Sequence, residues 1–113
     1  MKIYELRLNE KPFESIKNGT KTIEMRLQDE KRNQYQVGDI LIFKKRPEEV
    51  EILKTKIVNL HKVNTFKDLY NMFDKTKLGY KTNEIAHPDD MQTFYPIEEQ
   101  QKYGVVGIEI ELL

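Results

Sequence analysis

The 113-residue sequence predicts an α+β fold: a small mixed or antiparallel β-barrel with short helices packed at its ends. Strand-type alternation appears at both ends of the chain and again through its middle, so strands are spread along its whole length. The helical stretches between them are few and too short to carry crossovers between successive parallel strands, which excludes a doubly wound sheet. The length suits one domain spanning residues 1–113, with enough chain for one core and too little for two.

Residues 3–8 alternate Tyr4, Leu6 and Leu8 against Glu5 and Arg7, the pattern of a strand with one solvated face. Asn9 is placed to cap a short helix, with Pro12 in its first turn and Phe13 and Ile16 one turn apart. Asn18-Gly19 ends that helix, because glycine enters the left-handed C′ conformation most cheaply. Residues 21–27 form the next strand, with Thr22, Glu24 and Arg26 on one side and Lys21, Ile23 and Met25 on the other. The polar run 28–36 reads as a loop. Val37-Gly38-Asp39 turns the chain into Ile40-Leu41-Ile42-Phe43, whose unbroken apolar character predicts a strand buried on both faces.

After a turn at 44–49, residues 50–63 read as one long, bent strand. Thr65-Phe66-Lys67-Asp68 resembles a capping box, and Phe66, Leu69, Tyr70 and Phe73 then recur with helical spacing. Leu78-Gly79-Tyr80 breaks that pattern, and residues 84–95 are irregular or briefly helical. Pro96 opens a last short helix, with Glu98 and Glu99 at the positive end of its dipole, stopping at Tyr103-Gly104. Val106, Ile108, Ile110 and Leu112 close the chain with a strand. The predicted order is β-α-β-β-β-α-α-β.

Composition narrows the chemistry. Charged residues make up 34% and apolar ones 38%, which suits a folded domain rather than a disordered chain. Without cysteine there is no disulfide, thiol nucleophile or zinc–thiolate site. No apolar leader and no apolar run of spanning length occur, so neither signal peptide nor membrane span is expected, and the location expected is cytoplasmic. Nineteen basic residues balance nineteen acidic ones, against the excess of positive charge that a general nucleic-acid binder carries. The first half is nonetheless the more basic. Lys31-Arg32, Lys44-Lys45-Arg46, Lys54 and Lys56 concentrate there and form a candidate phosphate-tracking rim, with solvated loops and strand edges as the plainer reading.

The strongest candidate site is Gly19-Thr20-Lys21-Thr22-Ile23-Glu24-Met25-Arg26. As a structural feature, Glu24 and Arg26 make a surface ion pair two residues apart, worth little in solvent, and Lys21 is a solvated end residue. As a functional one, Arg26 offers a bidentate fork to phosphate or carboxylate and Lys21 a point charge. Glu24 then accepts from a base amide or a ribose hydroxyl, or serves as general base; in an enzyme, Lys21 and Glu24 would be the catalytic pair. Tyr35, Tyr95 and Tyr103 are candidate stacking residues, although aromatics near turns also plug barrel ends, the reading favoured for Tyr103. His61 and His87 lack any spacing that would join them in a metal site; His61, on a strand, is a candidate acid or base, with a structural role the plainer alternative. The single serine, Ser15, has no nucleophile elbow, and no glycine-rich phosphate loop occurs. No cofactor is expected.

Gly19-x-Lys21-x-x-Glu24-x-Arg26 resembles the G-x-K-x-x-E-x-R signature of the ASCH domain (activating signal cointegrator homology), a branch of the PUA-like fold. Leu-x-x-x-Pro12-Phe13-x-x-Ile16-x-x-Gly19 is similar to the family's leading helix, Val37-Gly38-Asp39-x-Ile-x-Phe43 to its next strand, and Phe94-Tyr95-Pro96 through Tyr103-Gly104-Val105 to its closing segment. The resemblance covers most of the chain and implies a small, stand-alone, bacterial-type member. It implies a PUA-like barrel whose cleft is lined by Lys21, Glu24 and Arg26; Tyr95, Lys44, Lys45 and Arg46, from the stacking and phosphate-rim readings above, are the further ligand-binding candidates. The partner it implies is RNA, or a nucleotide or modified nucleoside. A related subgroup hydrolyses acetylcytidine with a lysine and a threonine nucleophile on this strand and a glutamate from further along. Lys21 matches that lysine, but Glu24 stands where the threonine is, and a carboxylate cannot act as that nucleophile. Thr22 lies two residues away, roughly 6–7 Å along a strand. A ribonuclease needs only an acid, a base and phosphate contacts, which leaves that alternative open. A third alternative is a protein-interaction module with the charged trio as a structural network.

Overall fold

A computed structural model describes all residues, 1–113, and contains one five-stranded mixed sheet curled into a half-barrel. Its strands are β1 (Ile3–Leu8), β2 (Ile23–Leu27), β3 (Ile40–Lys45), β4 (Ile52–Val63) and β5 (Val105–Leu112). They lie in the order β1-β3-β4-β5-β2, with β1 parallel to β3 and every other neighbouring pair antiparallel. The strands at the two edges, β1 and β2, are joined in sequence by helix α1 (Glu10–Lys17).

The alternation in β1 works as expected, with Leu6 and Leu8 buried. These leucines join Phe13 and Ile16 of α1, Leu41 and Phe43 of β3, Ile57 of β4 and Val106, Ile108 and Ile110 of β5 in the main core. In β3 only Leu41 and Phe43 are fully buried; Ile40 and Ile42 are half-covered, so the expectation of burial on both faces holds for one face alone. The predicted bend in the long strand is a bulge at Ile57–Asn59, which re-aims β4 between its two neighbours.

A second apolar cluster lies on the other face of β2. Ile23, Met25 and Leu27 pack there against Phe66 and Leu69 of helix α3 (Phe66–Met72), with Leu78, Met91 and Val105. Thr65 and Asp68 close the anticipated capping box at the start of α3. Two local expectations change and a third is made definite. Asn9 stands at the N-cap of α1 but makes no side-chain cap. The polar run 28–36 holds a one-turn helix, α2 (Glu30–Asn33), because the Asp29 side chain accepts from the Arg32 amide and organises the turn. The irregular stretch before the last helix contains a 3-10 turn, Pro88–Thr93, ahead of α4 (Ile97–Tyr103). No helix is long and apolar enough to cross a membrane.

Candidate functional site

Helix α1 ends in a left-handed glycine, Gly19 with φ +88°, and the amides of Asn18, Gly19 and Lys21 turn back to carbonyls of α1. This delivers Lys21 just ahead of β2 rather than inside it. The Thr22 and Ile23 amides then both donate to the Lys77 carbonyl, which seats the 75–80 segment against the start of the strand. The assignment of Lys21 to the side opposite Glu24 is therefore corrected. Strand alternation does not begin until Ile23, so the Lys21 side chain is free to swing to the Glu24 side.

There it meets a bridging carboxylate. Lys21 Nζ is 2.8 Å from Glu24 Oε1, and Arg26 Nε is 2.8 Å from Glu24 Oε2. Glu24 is 4% exposed and Lys21 8%, so the surface ion pair considered from the sequence is in fact a buried triad. Burial pushes the Glu24 carboxyl upward, but Lys21 and Arg26 outweigh it and hold the group at about 2. Burial likewise works to lower the Arg26 pKa, and the Glu24 charge overrides it to raise the guanidinium above its ordinary value. Two cations share one carboxylate, which leaves a net positive charge and spare N–H donors at this point. Arg26 keeps its terminal guanidinium nitrogens, since Nε serves Glu24.

The triad forms the floor of a cavity of about 280 Å³. Arg7 and Leu8 of β1 line one side and Glu24, Met25 and Arg26 of β2 the other, so the edges of the half-barrel face each other across it. The remaining wall comes from Asn9, Lys11 and Pro12 at the start of α1, from residues 78–80 and from Met91, Phe94 and Tyr95. Tyr95 stacks on Phe66 with ring centroids 5.7 Å apart, and burial raises its phenol pKa while Arg26 works against that rise. Phe94 is 65% exposed at the rim. Tyr80 donates to Asp90 at 2.7 Å and meets the Tyr70 hydroxyl at 2.6 Å, a chain that fixes its ring at the mouth. Burial, with these partners adding to it, drives the Tyr80 pKa well above the ordinary phenol range.

Sequence reasoning missed most of this wall. Leu78-Gly79-Tyr80 registers in the sequence only as the end of a helical pattern, yet Gly79 has φ +108° and sits against the Lys21 stem. A Cβ there would come within 3.0 Å of Lys21 Cδ. A glycine flanked by two large apolar residues was the available signal.

The other sequence candidates separate. Arg46, with Lys31 and Arg32, lines a second basin beside the first. Lys44 and Lys45 do not join it. Lys44 pairs with Glu5 at 3.3 Å, and Lys45 pairs with Glu14 at 2.7 Å and lies over the Phe13 ring. Neither lines either cavity, because nearby carboxylates draw both side chains away. Lys54 and Lys56 are exposed on β4 outside both. Tyr35 is buried in the main core, packed on Tyr4. Tyr103 does not plug a barrel end: it is 37% exposed, with Lys102 Nζ over its ring. His61 pairs with Glu109 at 2.8 Å away from the cavity, and His87 accepts from the Asp89 amide to cap the 3-10 turn. No group of three or more His, Asp or Glu side chains comes together in a metal-binding arrangement.

The ASCH domain family model matches residues 6–113. The crystal structure of hypothetical protein PH0355 is similar to the chain at 35% identity and a TM-score of 0.82, with all of both chains covered. The solution structure of protein PF0455 from Pyrococcus furiosus is similar at 34% identity and a TM-score of 0.76, over 98% of this chain and 97% of that one. No curated protein matches. With the signature strand, the curled sheet and a match over nearly its whole length, the chain belongs to the ASCH domain family.

Proposed function

We propose that this protein binds RNA, or a nucleotide or modified nucleoside, by taking one base into the cavity above Lys21, Glu24 and Arg26. The ASCH domain is generally considered RNA-binding, which supports the class of ligand. The observation that carries the reading is the buried triad with its net positive charge at the floor of a cavity whose opposite walls are apolar and aromatic, with Arg7, Asn9 and Lys11 on the β1–α1 side. A nucleobase presents flat apolar faces and a polar edge. Met25, Met91 and Tyr95 suit the faces, and Phe94 at the rim offers a stacking surface. Lys21 and the free nitrogens of Arg26 donate to a carbonyl or ring nitrogen, and the remaining lone pairs of Glu24 accept from an amino or imino group.

Binding is better supported than hydrolysis. A carboxylate held at about 2 is a weak general base near neutral pH. The cavity wall contains no serine, threonine or cysteine to act as a nucleophile.

Titrating the isotope-labelled protein with nucleosides, modified nucleosides and short single-stranded RNAs tests the proposal by NMR. Saturable shifts are expected at residues 21–26, 78–80 and 91–95. Phe94→Ala should weaken that binding roughly tenfold, as loss of a stacked base–aromatic contact does, with an unchanged melting temperature because Phe94 is exposed. Absence of any shift, or shifts confined to another face, would refute it.

A further inference from the structure

A second basin of about 450 Å³ adjoins the cavity, and the two share Arg7 and Arg26 as a common border. These arginines come from the two edge strands, so they mark the boundary along the open seam of the half-barrel. The lining of the second basin has a different chemistry from the first. Five cations line it, Arg7, Arg26, Lys31, Arg32 and Arg46, and the one acid in the lining, Glu5, is engaged by Lys44. Arg7 is held by Glu49 at 2.7 Å, Arg26 by Glu24 and Arg32 by Asp29, so Lys31 and Arg46 are the uncompensated charges. In a chain of zero net charge this is a marked local excess. Lys31 and Arg46 are exposed and take part in none of the ion pairs. Arg32 holds Asp29 only through a 3.3 Å contact, and its buried Nε has no partner.

We infer that this basin is a phosphate site, so that the ligand is a phosphate-bearing nucleotide unit rather than a free nucleoside. Its base occupies the neighbouring cavity and its phosphate meets Arg7 and Arg26 at the border. The inference rests on the proposed base-binding role of that cavity for its polarity, but the basin's chemistry stands by itself. A base edge has no use for five cations; a phosphate oxyanion accepts several charge-assisted bonds at once, and arginine forks match its geometry. A concave cationic surface also concentrates anions before contact. Tyr4, packed on Tyr35 at 4.5 Å, adds an apolar wall for a sugar or a following base. The phosphate group can belong to a mononucleotide or to the diester of a single strand; the chemistry is shared and the test separates them.

Three probes are compared by calorimetry and NMR on the wild type and on a Lys31→Ala/Arg46→Ala variant: a nucleoside, its 5′-monophosphate and a dinucleotide with one internal diester. Inorganic pyrophosphate serves as a base-free control. In the wild type a phosphate-bearing probe should bind at least tenfold more tightly than the nucleoside. In the variant that advantage should shrink by at least about tenfold, since each lost charge-assisted contact is worth about that factor or more. A gain for the monophosphate alone identifies a mononucleotide end; a gain for the dinucleotide identifies a strand. Equal affinity for nucleoside and both phosphate forms overturns the inference, and so does an advantage that survives the double substitution. If no nucleoside binds but pyrophosphate shifts the amides of residues 31, 32 and 46, and does so only in the wild type, the phosphate site stands and the base-binding proposal falls. If pyrophosphate and all other probes leave those amides unmoved, the phosphate site falls.

Discussion

Replacing Glu24 by glutamine leaves Lys21 and Arg26 close together and nearly buried, with nothing negative between them. Breaking a buried ion pair from one side costs about 3–5 kcal/mol, because the surviving charges lose their counterion. Glu24→Gln is therefore expected to lower the unfolding free energy by that order in a denaturant titration. Binding data on this variant are interpretable only under conditions where it stays folded. The same carboxylate sets an acid limit. Its folded-state pKa is depressed from 4.5 to about 2, so its contribution is fully present above pH 4.5 and is lost as pH falls from there toward 2. The size of that loss is about 3 kcal/mol for the wild type. In the glutamine variant stability should be nearly flat through the same window as far as this site is concerned. A wild type no more acid-sensitive than Glu24→Gln between pH 4.5 and 2 would contradict the buried charged triad.

At the scale of elements, the signature strand works because it is flanked by two chain reversals that bring Lys21 in from one side and the 75–80 segment in from the other. Gly79 is the close approach between them. Alanine there must adopt φ +108° and press on the Lys21 stem. A non-glycine residue in a sparsely populated backbone region costs about 1–3 kcal/mol. Gly79→Ala is expected to lower stability by that amount and to move the Lys21 and Glu24 amide resonances, the second effect separating displacement of Lys21 from strain alone. The element also explains a missed reading. A strand's alternation is visible in its own residues, as at Ile23, Met25 and Leu27, which face the second core. The wall opposite is built from a turn, a 3-10 segment and their side chains, none of which has a periodicity to read.

The whole molecule carries no net charge, so on the proposed reading its attraction for a polyanion centres on the basic basin along the seam between β1 and β2. Nonspecific coating of long RNA is disfavoured, and affinity should depend on the one or two phosphates that the seam can reach. The logarithm of the association constant should then fall against that of salt concentration with a slope of only about −0.7 to −1.4, the value for one or two phosphates of a single strand. Extending an RNA from a few nucleotides to about twenty should improve affinity only in proportion to the number of binding registers it offers. A steep slope, or affinity rising sharply with length, would point to an extended basic face instead. The curled sheet gives this localisation its physical origin. Five strands leave the barrel open between its edges, and the opening is where Arg7 and Arg26 face each other.

What the sequence determined by itself was local and periodic: the alternation of β1, β2 and β5, the glycine stop at Gly19, the capping box at Thr65, the bend in β4 and the signature motif that identifies the family. Each is carried by residues within a few positions of one another, where side-chain spacing and backbone preference act directly. Tertiary structure alone decided that Glu24 is buried rather than solvated, and that Lys21 joins it. It also decided that Lys44 and Lys45 turn to Glu5, Glu14 and Glu51 while Arg46 turns to the seam. The reason is that a charge's environment depends on which distant groups the fold brings within a few ångströms of it, and Coulomb and desolvation energies at that range outweigh the solvent exposure that a charged residue has by default.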